Sequence, residues 1–225
     1  MTAIVCPVVT PGATDERPHR GTPDDEWVFA TWSVDASVGL VSGHRITGTR
    51  AWYWFALVER GRPMLHLTEW EVKLRSDPFI VKAPEMWAEH HCVEPLRQWT
   101  IGNEGHAVAL DDPAEAFGRA YGTPTPIASD VEWYATGAPM PLGDGSGFEQ
   151  TGVAHGLVEL LDRPNLDLDG WPAHRWRRWG EHLGPLAVPS VVAHTGLRAG
   201  FAFPDGTSAD WVLTRAGWCR RSRSS

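Results

Sequence analysis

Two stretches in the second half of the chain concentrate side chains that do acid–base chemistry. They are Gly147 to Leu160, GFEQTGVAHGLVEL, and Trp171 to Gly180, WPAHRWRRWG. The first carries Glu149, Gln150 and His155; the second sets His174 among three tryptophans and three arginines. A carboxylic acid and an imidazole can protonate an apolar substrate and take a proton back. Glu132, beside Trp133, is a further candidate, because burial in an aromatic setting would raise its pKa towards that of a general acid. These residues nominate Glu132 or Glu149 as the acid and His155 or His174 as its proton partner.

Spacing limits what they can do together. On one strand over 147–160, Glu149 and His155 share a face, but six residues at about 3.3 Å each put them roughly 20 Å apart. Each needs a partner from a neighbouring strand. The opposite face carries Gln150 and then Gly152, Ala154 and Gly156, a bare groove that tryptophans from adjacent strands or a ligand must fill. WPAHRWRRWG allows two forms. A helix opened by Pro172 would stack Trp171, Arg175 and Trp179; a strand would alternate His174 and Trp176 against Arg175 and Arg177. Either form brings guanidinium groups near indole faces, at about 0.5–2 kcal/mol per contact, as a sheet rim or an anion site.

Other polar clusters are less suggestive. In AEHHCVEPLRQW, His90, His91 and Cys92 alternate across a strand, and their spacing matches no metal site. Glu94 and Arg97 read as an ion pair that fixes a loop, and His66 as a satisfied inward histidine. The chain has no nucleophile elbow, phosphate loop, dinucleotide fingerprint or H-E-x-x-H. The expectation is therefore no cofactor and no metal.

The elements that must position these groups are short strands. WVFATWSV and GLVSGHRITG come first. RAWYWFALVE is apolar on both faces, and after the turn Arg60-Gly61-Arg62-Pro63 it pairs with MLHLTEWEVKLR, which alternates cleanly. PLRQWTIGNEGHAVALDD reads as a hairpin turning at Asn103-Glu104-Gly105. One helix is expected near 113–121, capped by Asp112, opened by Pro113 and ended by Gly122. TPIASDVEWYATG returns to strand, and LRAGFAF-PDGT-SADWVLTRAGW makes a late hairpin. With no βαβ rhythm, the pattern specifies an all-β antiparallel barrel or sandwich. The expected organisation is a flexible arm over 1–22, a β half over 23–143, a second β half over 144–218 and a solvated basic tail over 219–225.

Composition narrows the partners. A net charge of −8 argues against nucleic acid or an anionic membrane. Cys6, Cys92 and Cys219 are too few and too scattered for a disulfide framework. The start lacks a positive n-region and no apolar run is long enough for a bilayer span, so a cytoplasmic location is expected. The outlier is tryptophan, 13 residues against 3 tyrosines. Each buried indole removes about 200 Å² from water and needs a partner for its N–H, so the tryptophans build an unusually aromatic core or line a cavity.

In their order, AWYWFALVERGRPMLHLTEWEV, EPLRQWTI and GFEQTGVAHG followed by HRWRRWG resemble the lipocalin-like hydratase and cyclase superfamily, which includes carotenoid 1,2-hydratases and AttH-type proteins. The resemblance spans roughly residues 25–218. It implies a calycin-like β fold whose cavity takes a hydrophobic substrate without a cofactor. Relatives usually have two complete barrels, for which 225 residues are short. The expected function is a hydratase, lyase or cyclase acting on a polyene, terpenoid or polyketide-like molecule. Trp52, Trp54, Trp70 and Trp176 would wall its cavity, with His66, Trp99 and Gln150 also touching the ligand. The alternatives are a non-catalytic carrier of a lipophilic metabolite, and a domain whose tryptophans are all core.

Overall fold

The computed structural model describes residues 10–181, 183 and 193–221. Cys6 and Arg223 lie outside them. The chain is antiparallel β almost throughout. Its strands are β1 (Asp24–Trp32), β2 (Val38–Thr47), β3 (Arg50–Glu59), β4 (Met64–Lys73), β5 (Ile80–Ala83), β6 (Met86–Glu94), β7 (Gln98–Leu110), β8 (Thr123–Ala135), β9 (Met140–Pro141), β10 (Gly147–Leu160), β11 (Leu166–Gly180), β12 (His194–Ala202), β13 (Ser208–Thr214) and β14 (Gly217–Arg221).

Eight of these close into a barrel in the order β4-β3-β2-β1-β11-β10-β8-β7, and β4 pairs back onto β7. That closing ladder is short, Met64–His66 against Val108–Leu110. Beyond it the hairpin β5–β6 extends the wall from β7. A separate sheet, β12-β13-β14, covers the outer face of the barrel. The ring draws β10 and β11 from beyond the APMPLGDGSG connector into the same barrel as β1–β8. Closure covers the β4 edge over Met64–His66, and the rest of β4 pairs with β3.

Strand alternation then sorts the side chains into two cores. Inside the barrel lie Trp27, Phe29, Tyr53, Phe55, Trp99, Ile101 and Trp133. Between the barrel wall and the second sheet lie Trp32, Trp52, Trp54, Trp176, Trp211 and Trp218, with Phe201 and Phe203. β3 is apolar on both faces because it serves both: Tyr53, Phe55 and Leu57 point in, Trp52, Trp54 and Ala56 point out.

Several local expectations change. The chain does not turn at Asn103-Glu104-Gly105. β7 runs straight through, and the reversal is at Glu94–Arg97, where Arg97 N donates to Glu94 O and Leu96 takes a φ of 61°. Asn103 faces inward and bonds Tyr53, and Gly105 allows the close approach of Met86. The alternation of β4 breaks at a bulge, with Glu71 at φ 58°. Asp112 does cap and Pro113 does open a turn, but it is a 3-10 turn that stops at Phe117. Arg220 is not a solvated tail residue; β14 carries it under the barrel wall, against Glu26. Nor is the N-terminal arm loose over its described part, as the site shows.

Candidate functional site

WPAHRWRRWG is extended as β11, so His174, Trp176 and Arg178 point out of the barrel while Ala173, Arg175 and Arg177 point in. The inward pair organises one end of the lumen. Arg175 is 1% exposed and lies over the rings of Trp133, Phe148 and Trp99, at 4.8, 5.1 and 5.9 Å. Its Nη1 and Nη2 donate to the two oxygens of Glu16, at 2.9 and 2.6 Å, and Nε and Nη2 donate to Gln150 Oε1. Glu16, also 1% exposed, further accepts from Leu96 N at 2.8 Å.

Glu16 belongs to no strand. It ends a 3-10 turn, Ala13–Glu16, that lies across this end of the barrel. Arg177 straps the same segment down: it donates to Asp15 O at 2.6 Å and Arg17 O at 2.9 Å and pairs with Asp25. His19 bridges to Asp25 and Asp15 and packs on Trp179, ring centroids 4.5 Å apart. Residues 12–19 are thus a plug held by two lumen arginines. Burial pulls the Arg177 guanidinium down to about 10, although Asp25 opposes it.

Above the plug the inner wall is polar but uncharged. Ser42 Oγ lies 3.0 Å from His90 Nε2 and 3.3 Å from Tyr53 OH, and Asn103 Nδ2 donates to Tyr53 OH at 2.7 Å. The His44 ring stands 5.7 Å from that of His90. Burial pushes His44 down to about 3, lowers His90 far below its usual value with help from His44, and raises Tyr53 to about 12. Imidazoles and phenol are therefore neutral near pH 7. Six inner-face atoms have no hydrogen-bond partner among the described residues: the indole nitrogens of Trp27, Trp99 and Trp133, His44 Nε2, His90 Nδ1 and Asn103 Oδ1. A buried polar atom without a partner costs about 1–3 kcal/mol; others of this kind, among them the indole nitrogens of Trp54 and Trp211 and His66 Nε2, lie outside the lumen.

The free space there is small. A void of about 10 Å³ between Phe29, Leu40, Ile101, Val131, Trp133 and Ala154 has room for one water molecule. The bare groove of β10 is filled by tryptophan: a Cβ on Gly152 would lie 2.5–2.6 Å from the Trp133 indole. An open groove of about 930 Å³ at the outer rim, lined by Trp87, Glu104, Ile127 and Leu161, contains none of the expected site residues.

The nominated residues fall in three places. Gln150 and Trp99 face the lumen, Gln150 holding Arg175 and donating to Leu96 O and Gly137 O. Trp52, Trp54, Trp70 and Trp176 do not wall it. They point outward beneath or beside the second sheet, where Trp52 and Trp54 meet Phe203 at 6.0 and 5.0 Å. Outward too is His66, stacked on Phe201 at 5.3 Å and pushed down to about 4 by burial. Glu149, His174, Glu132 and His155 occupy the outer wall. Glu149 Oε2 sits 3.1 Å from His174 Nε2, the cross-strand partner that its spacing from His155 demanded. The bond from His174 is the main cause of the lowered Glu149 pKa, and Trp176 also bonds the carboxylate. Tyr134 OH donates to an exposed Glu132, and His155 lies 3.5 Å from Asp169.

Glu16, Asp25, Ser42, His44, Tyr53 and Asn103 complete the site without standing out in the sequence as site residues. For two of them a signal existed: in GLVSGHRITG, Ser42 and His44 alternate with Leu40 and Ile46 on one face, polar groups where a core strand should be apolar. Among the described residues no three of His, Cys, Asp or Glu are grouped to hold a metal ion, and no helix is long and apolar enough to cross a membrane. Comparison with known protein families, curated proteins and solved structures finds no match to this chain.

Proposed function

We propose that the barrel binds a compact, largely apolar small molecule bearing hydrogen-bond acceptors. One observation carries this reading: the unpartnered indole N–H groups of Trp27, Trp99 and Trp133, joined by His44, His90 and Asn103, all on inner-face side chains of one closed barrel. Apolar walls with a few convergent polar groups are the usual make-up of a ligand site. A binding role is preferred to catalysis because the carboxylates of this interior, Glu16 and Asp25, are tied to Arg175 and Arg177. The resemblance to lipocalin-like hydratases and cyclases supports a lumen ligand, and the free thiols of Cys92 and Cys219 suit a reducing cytoplasm.

The test is a titration followed through ¹⁵N-labelled indole signals, using polyenes, steroids and aromatic ketones. Binding moves the Trp27, Trp99 and Trp133 resonances and leaves Trp54 and Trp211, unpartnered in the other core, in place. No shift with any compound overturns the reading. A second reading, an acid–base lyase or cyclase, is favoured by the Glu149–His174 pair alone. It requires Glu149→Gln to abolish turnover of a compound that the variant still binds.

A further inference from the structure

The plug deepens the account of the lumen. Arg175 is a preassembled receptor for one carboxylate. It presents two guanidinium donors, a third comes from Leu96 N, and Gln150 holds the guanidinium in place. Fork-to-fork pairing of this kind gives both strength and geometric selectivity. The carboxylate now seated there is Glu16, contributed by a turn outside the sheet that no ladder hydrogen bond joins to the barrel. Above it stand Trp99, Trp133 and Phe148, each with its ring towards the guanidinium.

Lifting the plug with nothing to replace it leaves Arg175 buried without a counter-charge, which is strongly unfavourable. Lifting it in exchange for another carboxylate preserves the charge balance and the donor count at Arg175, while Arg177 gives up Asp15 O and Arg17 O and keeps Asp25. A neutral guest has no such exchange available at this end. We infer that Glu16 is an internal stand-in for the ligand's own carboxylate, and that the barrel takes apolar carboxylates of the aryl-alkanoate class, which seat on Arg175 in the space that residues 12–19 give up as they swing away. This rests on the lumen-binding reading above. The aromatic rings next to Arg175 receive the apolar body, and the unpartnered indole N–H groups of Trp99 and Trp133 lie on the same inner face.

The experiment compares 1-naphthylacetate with its methyl ester by calorimetry on the full chain, with hydrogen exchange monitored over residues 12–19. The acid is expected to bind about tenfold or more tighter than the ester, as a desolvated charge pair allows, and to speed exchange in the plug; the ester is not. Glu16→Gln removes the competing carboxylate, so acid affinity rises roughly tenfold or more while ester affinity stays level. If that variant is poorly folded, the double variant Glu16→Gln with Arg175→Met removes both charges and strands neither. It should bind acid and ester alike. Equal affinity of acid and ester for the unaltered protein, with binding seen, overturns the carboxylate site and leaves the lumen reading standing. So does an acid preference that survives in the double variant, or acid binding with unchanged plug exchange. If neither compound, nor any of the neutral panel, binds, both proposals fall.

Discussion

The indole of Trp54 lies against the bare Cα of Gly43 on the adjacent strand, so closely that a Cβ on the glycine would sit 2.0 Å from Cε2 and 2.3 Å from Nε1. The same arrangement recurs where Trp133 covers Gly152, Trp218 covers Gly39 and Trp32 covers Gly217. Tryptophan over glycine is how this fold uses its large indole complement: the missing side chain on one strand is the space for the ring from another. Gly43→Ala must displace a ring already packed against Trp70, Phe201 and Phe203. It should cost about 1–3 kcal/mol, the usual range for overpacking, with Gly143→Ala neutral as the control because nothing lies near that position. Urea unfolding of the two variants checks this, and equal midpoints would refute it.

This pairing also explains what could be read from the sequence. The strand character of RAWYWFALVE, the single strand over 147–160 and its bare inner face follow from alternation and residue type, which are local. Which face of β3 becomes the lumen is not local. Trp52 and Trp54 are as apolar as Tyr53 and Phe55, and only ring closure and the arrival of β12–β14 decide that the tryptophans face outward. The plug was illegible for a related reason. Glu16 sits in a Pro- and Gly-rich stretch, and Arg175, its partner, is 159 residues away. Glu149 and His174 were nominated separately; the register of β10 on β11 joins them.

That pair should matter little for stability. Glu149 is partly exposed on the outer wall and His174 less so. Exposed ion pairs contribute about 0.2–1 kcal/mol, so Glu149→Gln should lower stability by less than about 1 kcal/mol. A larger loss in thermal or chemical unfolding would mean that the pair organises the neighbouring Trp176–Trp211 contact.

Glu26 is the opposite case. It is wholly buried between the barrel and the second sheet, where Arg45, Arg178 and Arg220 all donate to it. Burial acts to raise its pKa, but the three guanidinium groups outweigh that and hold the carboxyl far below its usual range. Glu26→Gln removes the charge they share and should destabilise by about 3–5 kcal/mol, the cost of breaking a buried pair from one side. Adding Arg220→Met should recover part of the loss. The sign for pH follows from the depressed folded value: this stabilisation is present above the unfolded pKa and is lost as pH falls below it.

The buried histidines give a separate acid sensitivity at higher pH. Burial depresses His44 to about 3 and His66 to about 4, and lowers His90 well below its usual value. An unfolded histidine titrates near 6.5. Above that pH neither state binds these protons and stability is flat with respect to them. Below it the unfolded chain takes up three protons that the native barrel refuses, so stability falls as pH drops, and continues to fall towards the folded values. Each histidine contributes a slope of about 1.4 kcal/mol per pH unit once the unfolded form is fully protonated, and the three together about 4. Between pH 6.5 and 5 few carboxylates titrate, so the histidines dominate there. Unfolding free energies at half-unit intervals over this range should curve downward, and His66→Leu, on the outer face, should remove about one proton from the slope without touching the lumen. A flat profile would mean that all three histidines, His44 and His90 included, accept protons in the native state. The lumen would then carry charge, and its unpartnered indole N–H groups would face a hydrated interior instead of an apolar guest.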